Sequence, residues 1–243
     1  MTVPVRLLLL DIDGTLIESR GAGRVALRSA MLEVYGLTGP IDDHDFRGKT
    51  DPWIVRDLLR SCGWSDEEID ARLYEVWEPY LRYLDDALEA TATRPTPCRG
   101  APELLDRLSE DGRYELALLT GNVEEGAMRK LRAAGITHRF EAGAFGSDSE
   151  RRADLPPIAV ARAARHTGLS FRVEDAIVVG DTPEDVLCAR ANHARVLAVA
   201  TGGFDADDLR SHEPDGVLEN LSDSDSVLEA LDNVLAGAPK VVR

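Results

Sequence analysis

The stretch Leu7-Leu8-Leu9-Leu10-Asp11-Ile12-Asp13-Gly14-Thr15-Leu16 decides how this chain reads. Four leucines stop abruptly at a carboxylate, which is the pattern of a buried parallel strand whose carboxyl end delivers Asp11 to the sheet edge. Open α/β sheets place their chemistry at that edge. If extended geometry continues through Ile12, Asp11 and Asp13 project to one side and Ile12 to the other. Gly14 then lets the chain turn away sharply. Two carboxylates facing one small volume repel each other, and a hard divalent cation such as Mg²⁺ is the natural counter-charge.

Two further apolar runs end in polar groups. Tyr114 to Leu119 leads into Thr120-Gly121-Asn122, ahead of a helix from about Glu124 to Ala134. A hydroxyl, the amides that follow and a helix N-terminus would together suit a phosphoryl oxygen. The run Asp175 to Val179 ends at Gly180-Asp181-Thr182-Pro183-Glu184-Asp185, with the proline in the first turn of a helix. Asp181 could reach a cation held by Asp11, and Asp185, one helical turn on, could orient Asp181 or a metal-bound water.

Between the first strand and the next α/β unit no strand signal occurs. Helical spacing covers residues 24–35, 51–62 and 66 to about 89, the last opened by Ser65 as N-cap. A Thr- and Pro-rich segment at 91–97 closes this region. The reading is therefore an α/β core of residues 1–17 and 98–243, Rossmann-like, doubly wound and mostly parallel, with an all-helical cap inserted at 18–97. Within the insert, Arg47 and Lys49 flank Gly48 just before the Thr50-Asp51 helix start. They could face a substrate anion, or be solvated cations balancing Asp42, Asp43 and Asp45. The core's later strands lie at 195–200 and 216–221, and ahead of the first of them, at Asn192-His193, Asn192 would take the left-handed conformation at a helix end.

Bulk properties narrow the partners. A net charge of −16 over 243 residues repels nucleic acid and anionic membranes, so an anionic substrate needs a local metal and a few cations. The three cysteines, at 62, 98 and 188, are too far apart in sequence for a metal motif and read as reduced thiols of a cytoplasmic protein. There is no charged-then-apolar leader and no stretch of membrane-spanning length. Oligomeric state is not legible.

Asp11-Ile12-Asp13-Gly14-Thr15-Leu16 after an apolar strand resembles the first motif of the haloacid dehalogenase (HAD) superfamily. Thr120-Gly121-Asn122 resembles its second, and Gly180-Asp181 with Asp185 resembles its fourth. The third motif usually carries a lysine before a proline; here Arg151-Arg152 stands there. Spacing to Ile158 aligns Arg152 with that lysine, and Arg151 is the alternative. The insert around residues 46–51 is similar to the cap of phosphoglycolate-phosphatase-like members.

This resemblance implies a Mg²⁺-dependent phosphatase acting on a small phosphorylated metabolite. Asp11 would be the nucleophile and Asp13 the general acid/base, with Thr15 holding Asp13. Thr120, Gly121, Asn122 and Arg152 would bind the phosphoryl group, with Arg47 and Lys49 reaching from the cap. Asp11, the Asp13 carbonyl, Asp181 and Asp185 would form the metal site. A second acid at Asp13 disfavours dehalogenation, which protonates no leaving group. A sugar-phosphate mutase would use the same motifs, and a non-catalytic phospho-ligand binder could retain the fold.

Overall fold

The computed structural model describes residues 5–136 and 140–237, so both ends of the expected core, at 1–4 and 238–243, lie outside the described residues. In chain order the strands are β1 (Arg6–Leu10), β2 (Ile17–Glu18), β3 (Thr96–Pro97), β4 (Tyr114–Leu119), β5 (Gly143–Ala144), β6 (Ile177–Gly180), β7 (Arg195–Val199) and β8 (Gly216–Leu218). The helices are α1 (Ala22–Tyr35), α2 (Asp51–Ser61), α3 (Asp66–Asp70), α4 (Trp77–Glu89), α5 (Ala101–Glu110), α6 (Glu124–Ala134), α7 (Leu155–Thr167), α8 (Pro183–Ala191), α9 (Ala206–Arg210) and α10 (Ser224–Leu235).

Six strands form one parallel sheet in the order β5-β4-β1-β6-β7-β8. β1 lies inside it, paired from Leu8 to Leu10 with β6 and along its length with β4. This explains the unbroken leucines. Leu8 and Leu10 enter one hydrophobic cluster with α5, α6 and α10, while Leu7 and Leu9 enter another with α7 and α8. With helices on both faces all four leucines are buried, and each contributes roughly 2 kcal/mol through lost contact with water. The carboxyl ends of β1, β4 and β6 come out side by side.

Helices α1 to α4 bury a separate cluster containing Leu27, Met31, Ile54, Leu58, Tyr80 and Leu84. The expected long helix from Asp66 is interrupted: α3 stops at Asp70, a 3₁₀ turn spans Leu73–Val76, and α4 begins at Trp77. The break lets the two halves serve different partners. Asp66 and Asp70 of α3 pair with Arg56 of α2, whereas α4 packs on α1, and Arg72 at the break donates to the carbonyl of Val34.

The two chain crossings between this helical layer and the sheet are themselves tied. Ile17 pairs with Pro97 and Glu18 with Thr96 in a two-residue antiparallel ribbon. At the end of α8 it is His193, with φ 56°, that turns left-handed. Asn192 keeps φ −110° and spends its amide on the carbonyls of Ala153 and Cys188. A side chain that caps backbone carbonyls in this way leaves the left-handed turn to its neighbour.

Candidate active site

The three strand ends open into a cavity of about 380 Å³ between sheet and helical layer, within the size range of small-molecule sites. Asp11, Asp13, Thr120, Gly121, Asn122, Arg152 and Asp181 line it from the sheet side, and Arg47 and Lys49 from the helical side. Carboxylate oxygens of Asp11, Asp181 and Asp185 lie within 4.8 Å of one another, and all three residues are buried. The turn after Asp13 is compressed against Asp181. Gly14 has φ +86°, and a Cβ there would fall 2.3 Å from Asp181 Oδ2, so only glycine fits.

Burial drives the Asp11 carboxyl up to about 7; Arg152 opposes this, while Asp185 and Asp13 reinforce it. Asp181 is likewise pushed well above the carboxylate range by burial and by Asp11 and Asp185, against the hydrogen bond from Thr15. These carboxylates thus lack positive charge, and three hard oxygen donors around one point suit a divalent cation such as Mg²⁺. Arg152 supplies only part of the deficit. Its guanidinium stands 3.3 Å from Asp11 and 2.5 Å from Asp185, and its buried Nε has no hydrogen-bond partner among the described residues. Arg151, the alternative, is exposed and pairs only loosely with Asp154 at 3.8 Å.

Both carboxylate oxygens of Asp185 accept hydrogen bonds. Oδ1 accepts from Arg152, and Oδ2 accepts from the Thr182 amide at 3.1 Å and hydroxyl at 2.7 Å. It therefore braces Arg152 and the β6–α8 turn. Thr15, expected on Asp13, instead donates to Asp181 Oδ1 at 2.8 Å. The tight turn at Gly14 carries the Thr15 hydroxyl toward β6, and this correction moves Thr15 to the acid triad.

Asp13 is held by different groups. Asn122 Nδ2 donates to it at 2.6 Å, and Lys130, from the middle of α6, donates to both carboxylate oxygens at 2.9 and 3.0 Å. Burial works to raise this carboxyl, but the Lys130 ammonium and the hydrogen bonds from Lys130 and Asn122 outweigh it and bring it below its ordinary value. The sequence reading missed Lys130. A signal existed: the buried positions of α6 include Ala127, Lys130 and Leu131, so a lysine sits in the helix's apolar stripe.

Arg47 and Lys49 line the cavity but are already engaged. Arg47 pairs with Asp45, donates to the Gly203 carbonyl at 3.3 Å and stacks over Phe204; Lys49 pairs with Glu184 of α8. Asp51, also unassigned from sequence, accepts from the Val123 amide at 2.8 Å and donates its own amide to Gly121. A Cβ on Gly121 would sit 2.0 Å from the Lys49 carbonyl, so the glycine is what allows the two loops to touch.

Residues 5–193 match the sequence profile of the haloacid dehalogenase-like hydrolases. The chain belongs to this family. The protein is thus a hydrolase, built on the α/β fold of its relatives. It is 26% identical over 231 residues to phosphoglycolate phosphatase of Nitrosococcus oceani, covering 91% of this chain and 96% of that one. It is 29% identical over 220 residues to pyrophosphatase PpaX of Bacillus velezensis, covering 90% and 94%. Its fold is similar to the crystal structure of a hydrolase from Pseudomonas syringae, with TM-score 0.69 and 21% identity over 93% of this chain and 98% of that chain. Among the described residues no helix is long and apolar enough to cross a membrane.

Proposed function

We propose that this HAD-family hydrolase is a Mg²⁺-dependent phosphatase that cleaves a small phosphate monoester through an aspartyl phosphate on Asp11. The observation that carries the reading is the buried triad of Asp11, Asp181 and Asp185 beside a guanidinium with a free Nε. Asp11, the Asp13 carbonyl and Asp181 would hold the cation, with Asp185 behind them. When bound, Mg²⁺ supplies the charge that lets a carboxylate approach an anionic phosphoryl group.

The protein's own groups then divide the work. Asp11 attacks phosphorus in line, forming the P–O bond as the ester P–O bond breaks. Asp13, which takes up a proton as the negative charge of the phosphoryl group arrives beside it, gives that proton to the departing alkoxide, then takes one from the water that attacks the aspartyl phosphate, which restores both carboxyls. Arg152 Nε, the Thr120 hydroxyl and the amides of Gly121 and Asn122 bind the equatorial oxygens, where charge accumulates. Arg47 and Lys49 bound the leaving-group end of the cavity. Its enclosure by the helical layer suits a metabolite better than a macromolecule, and the relatives named phosphoglycolate phosphatase direct the first choice toward small phosphorylated acids. Free, unpaired cysteines fit a cytoplasmic setting.

The test is phosphate release from a panel of metabolite phosphates. We expect turnover with Mg²⁺, none with chelator, and none in Asp11→Asn. Release that persists in Asp11→Asn refutes the covalent route, and transfer to a sugar bisphosphate without net release points instead to a mutase.

A further inference from the structure

Lys130 is a charged residue in a helix stripe that otherwise meets the apolar interior, with only 5% of its surface exposed. A buried ion pair is a poor stabilising device, since desolvation consumes most of its Coulombic gain. Its placement calls for another explanation. An ammonium has three N–H donors, and two are spent on the Asp13 oxygens while the third goes to Asn122 Oδ1 at 2.6 Å. None remains for a substrate anion. Asn122 in turn commits its amide hydrogens to Asp13 Oδ2 and to the Thr120 hydroxyl at 2.8 Å. The network thus connects the group facing the leaving oxygen with the group facing the phosphoryl oxygens.

Room for the lysine is made from the helical layer. Gly23 of α1 faces the ammonium, and a Cβ there would stand 3.3 Å from Lys130 Nζ. The Lys130 side chain therefore spans from a helix of the sheet domain to a spot under the first helix of the insert and stops at Asp13.

We propose that Lys130 is a positioning residue for the hydrolysis: it fixes the Asp13 carboxyl by both oxygens, and through Asn122 sets its distance from the Thr120 phosphoryl site. This rests on the reading of Asp13 as acid/base. Left unclamped, the Asp13 side chain can rotate out of line with the leaving oxygen. Such loss of orientation is felt where the leaving group needs protonation and is slight where it does not.

The experiment compares kcat/KM, which reports the step that forms the aspartyl phosphate, for an alkyl phosphate and for para-nitrophenyl phosphate. Both are measured on the full chain with Mg²⁺. For Lys130→Met we expect a fall of about 10- to 100-fold on the alkyl ester, the range for lost orienting partners, and under about threefold on the nitrophenyl ester. Equal falls on both esters, or no fall on either, overturn the assignment. Because Lys130→Met leaves the Asp13 charge unpaired and could unfold, the double variant Asp13→Asn/Lys130→Met, which removes both charges, is compared with Asp13→Asn. If Lys130 acts through Asp13, the two have the same kcat/KM within about twofold; a further tenfold loss refutes it. A wild-type chain that hydrolyses neither ester defeats the phosphatase reading itself, and the assignment with it.

Discussion

Replacing Asp181 with asparagine should make the metal-free protein more stable while abolishing its response to Mg²⁺. The side chains are nearly isosteric, and the amide oxygen can still accept the Thr15 hydroxyl that now reaches Oδ1 at 2.8 Å. What disappears is one of three carboxylates whose oxygens lie within 4.8 Å of one another. Asp181 is pushed up by burial and then by its neighbours Asp11 and Asp185, and the scale of such a shift is visible at Asp11, raised from 3.8 to about 7, chiefly by burial. At 1.36 kcal/mol per pH unit, that corresponds to roughly 4 kcal/mol for holding Asp11 ionised in the fold. Burial is the largest cause and survives the substitution, so we expect relief of about 1–2 kcal/mol, or roughly 2–8 °C in melting temperature for a chain of this size. The assay is thermal unfolding at pH 8 in EDTA and in excess Mg²⁺. Wild type should gain about 3 kcal/mol from the cation at a hundredfold excess over Kd, and the variant almost nothing. A variant that melts below wild type in EDTA, or keeps the Mg²⁺ shift, would refute the reasoning that charge crowding at this site awaits a cation.

Two other outcomes follow from the same geometry. The folded state holds the Asp11 proton more tightly than the unfolded chain does, so this stabilising contribution is complete below about pH 4 and is lost as pH rises to about 7. In EDTA, Asp11→Asn should therefore be no more stable than wild type near pH 4 and several kcal/mol more stable at pH 8, read from urea midpoints at each pH; a gap that narrows as pH rises contradicts it. Arg152→Met strips the guanidinium from two buried carboxylates, Asp11 and Asp185, and should cost about 3–5 kcal/mol in EDTA, whereas Arg151→Met, at an exposed side chain, should change stability by under about 0.5 kcal/mol.

The parallel sheet, the helical insert and the sheet-edge acids were legible because they follow from local pattern. Four leucines ending at Asp11, and the apolar run ending at Asp181, can be buried on both sides only inside a parallel sheet, and that fold brings their carboxyl ends together. Spacing to Ile158 favoured Arg152 over Arg151 without showing where either side chain points; tertiary packing alone decided which one turns inward, where the Thr15 hydroxyl goes and what holds Asp13. Arg151 and Arg152 are neighbours of one residue type, and only the 3₁₀ turn at Arg152–Asp154 sends one to Asp11 and the other to solvent. Lys130 reaches Asp13 across 117 residues of chain, and Thr15 meets Asp181 across 166. Strand and helix periodicity encodes which face a residue occupies; which distant residue meets it there depends on how the layers stack, and no local window of sequence contains that information.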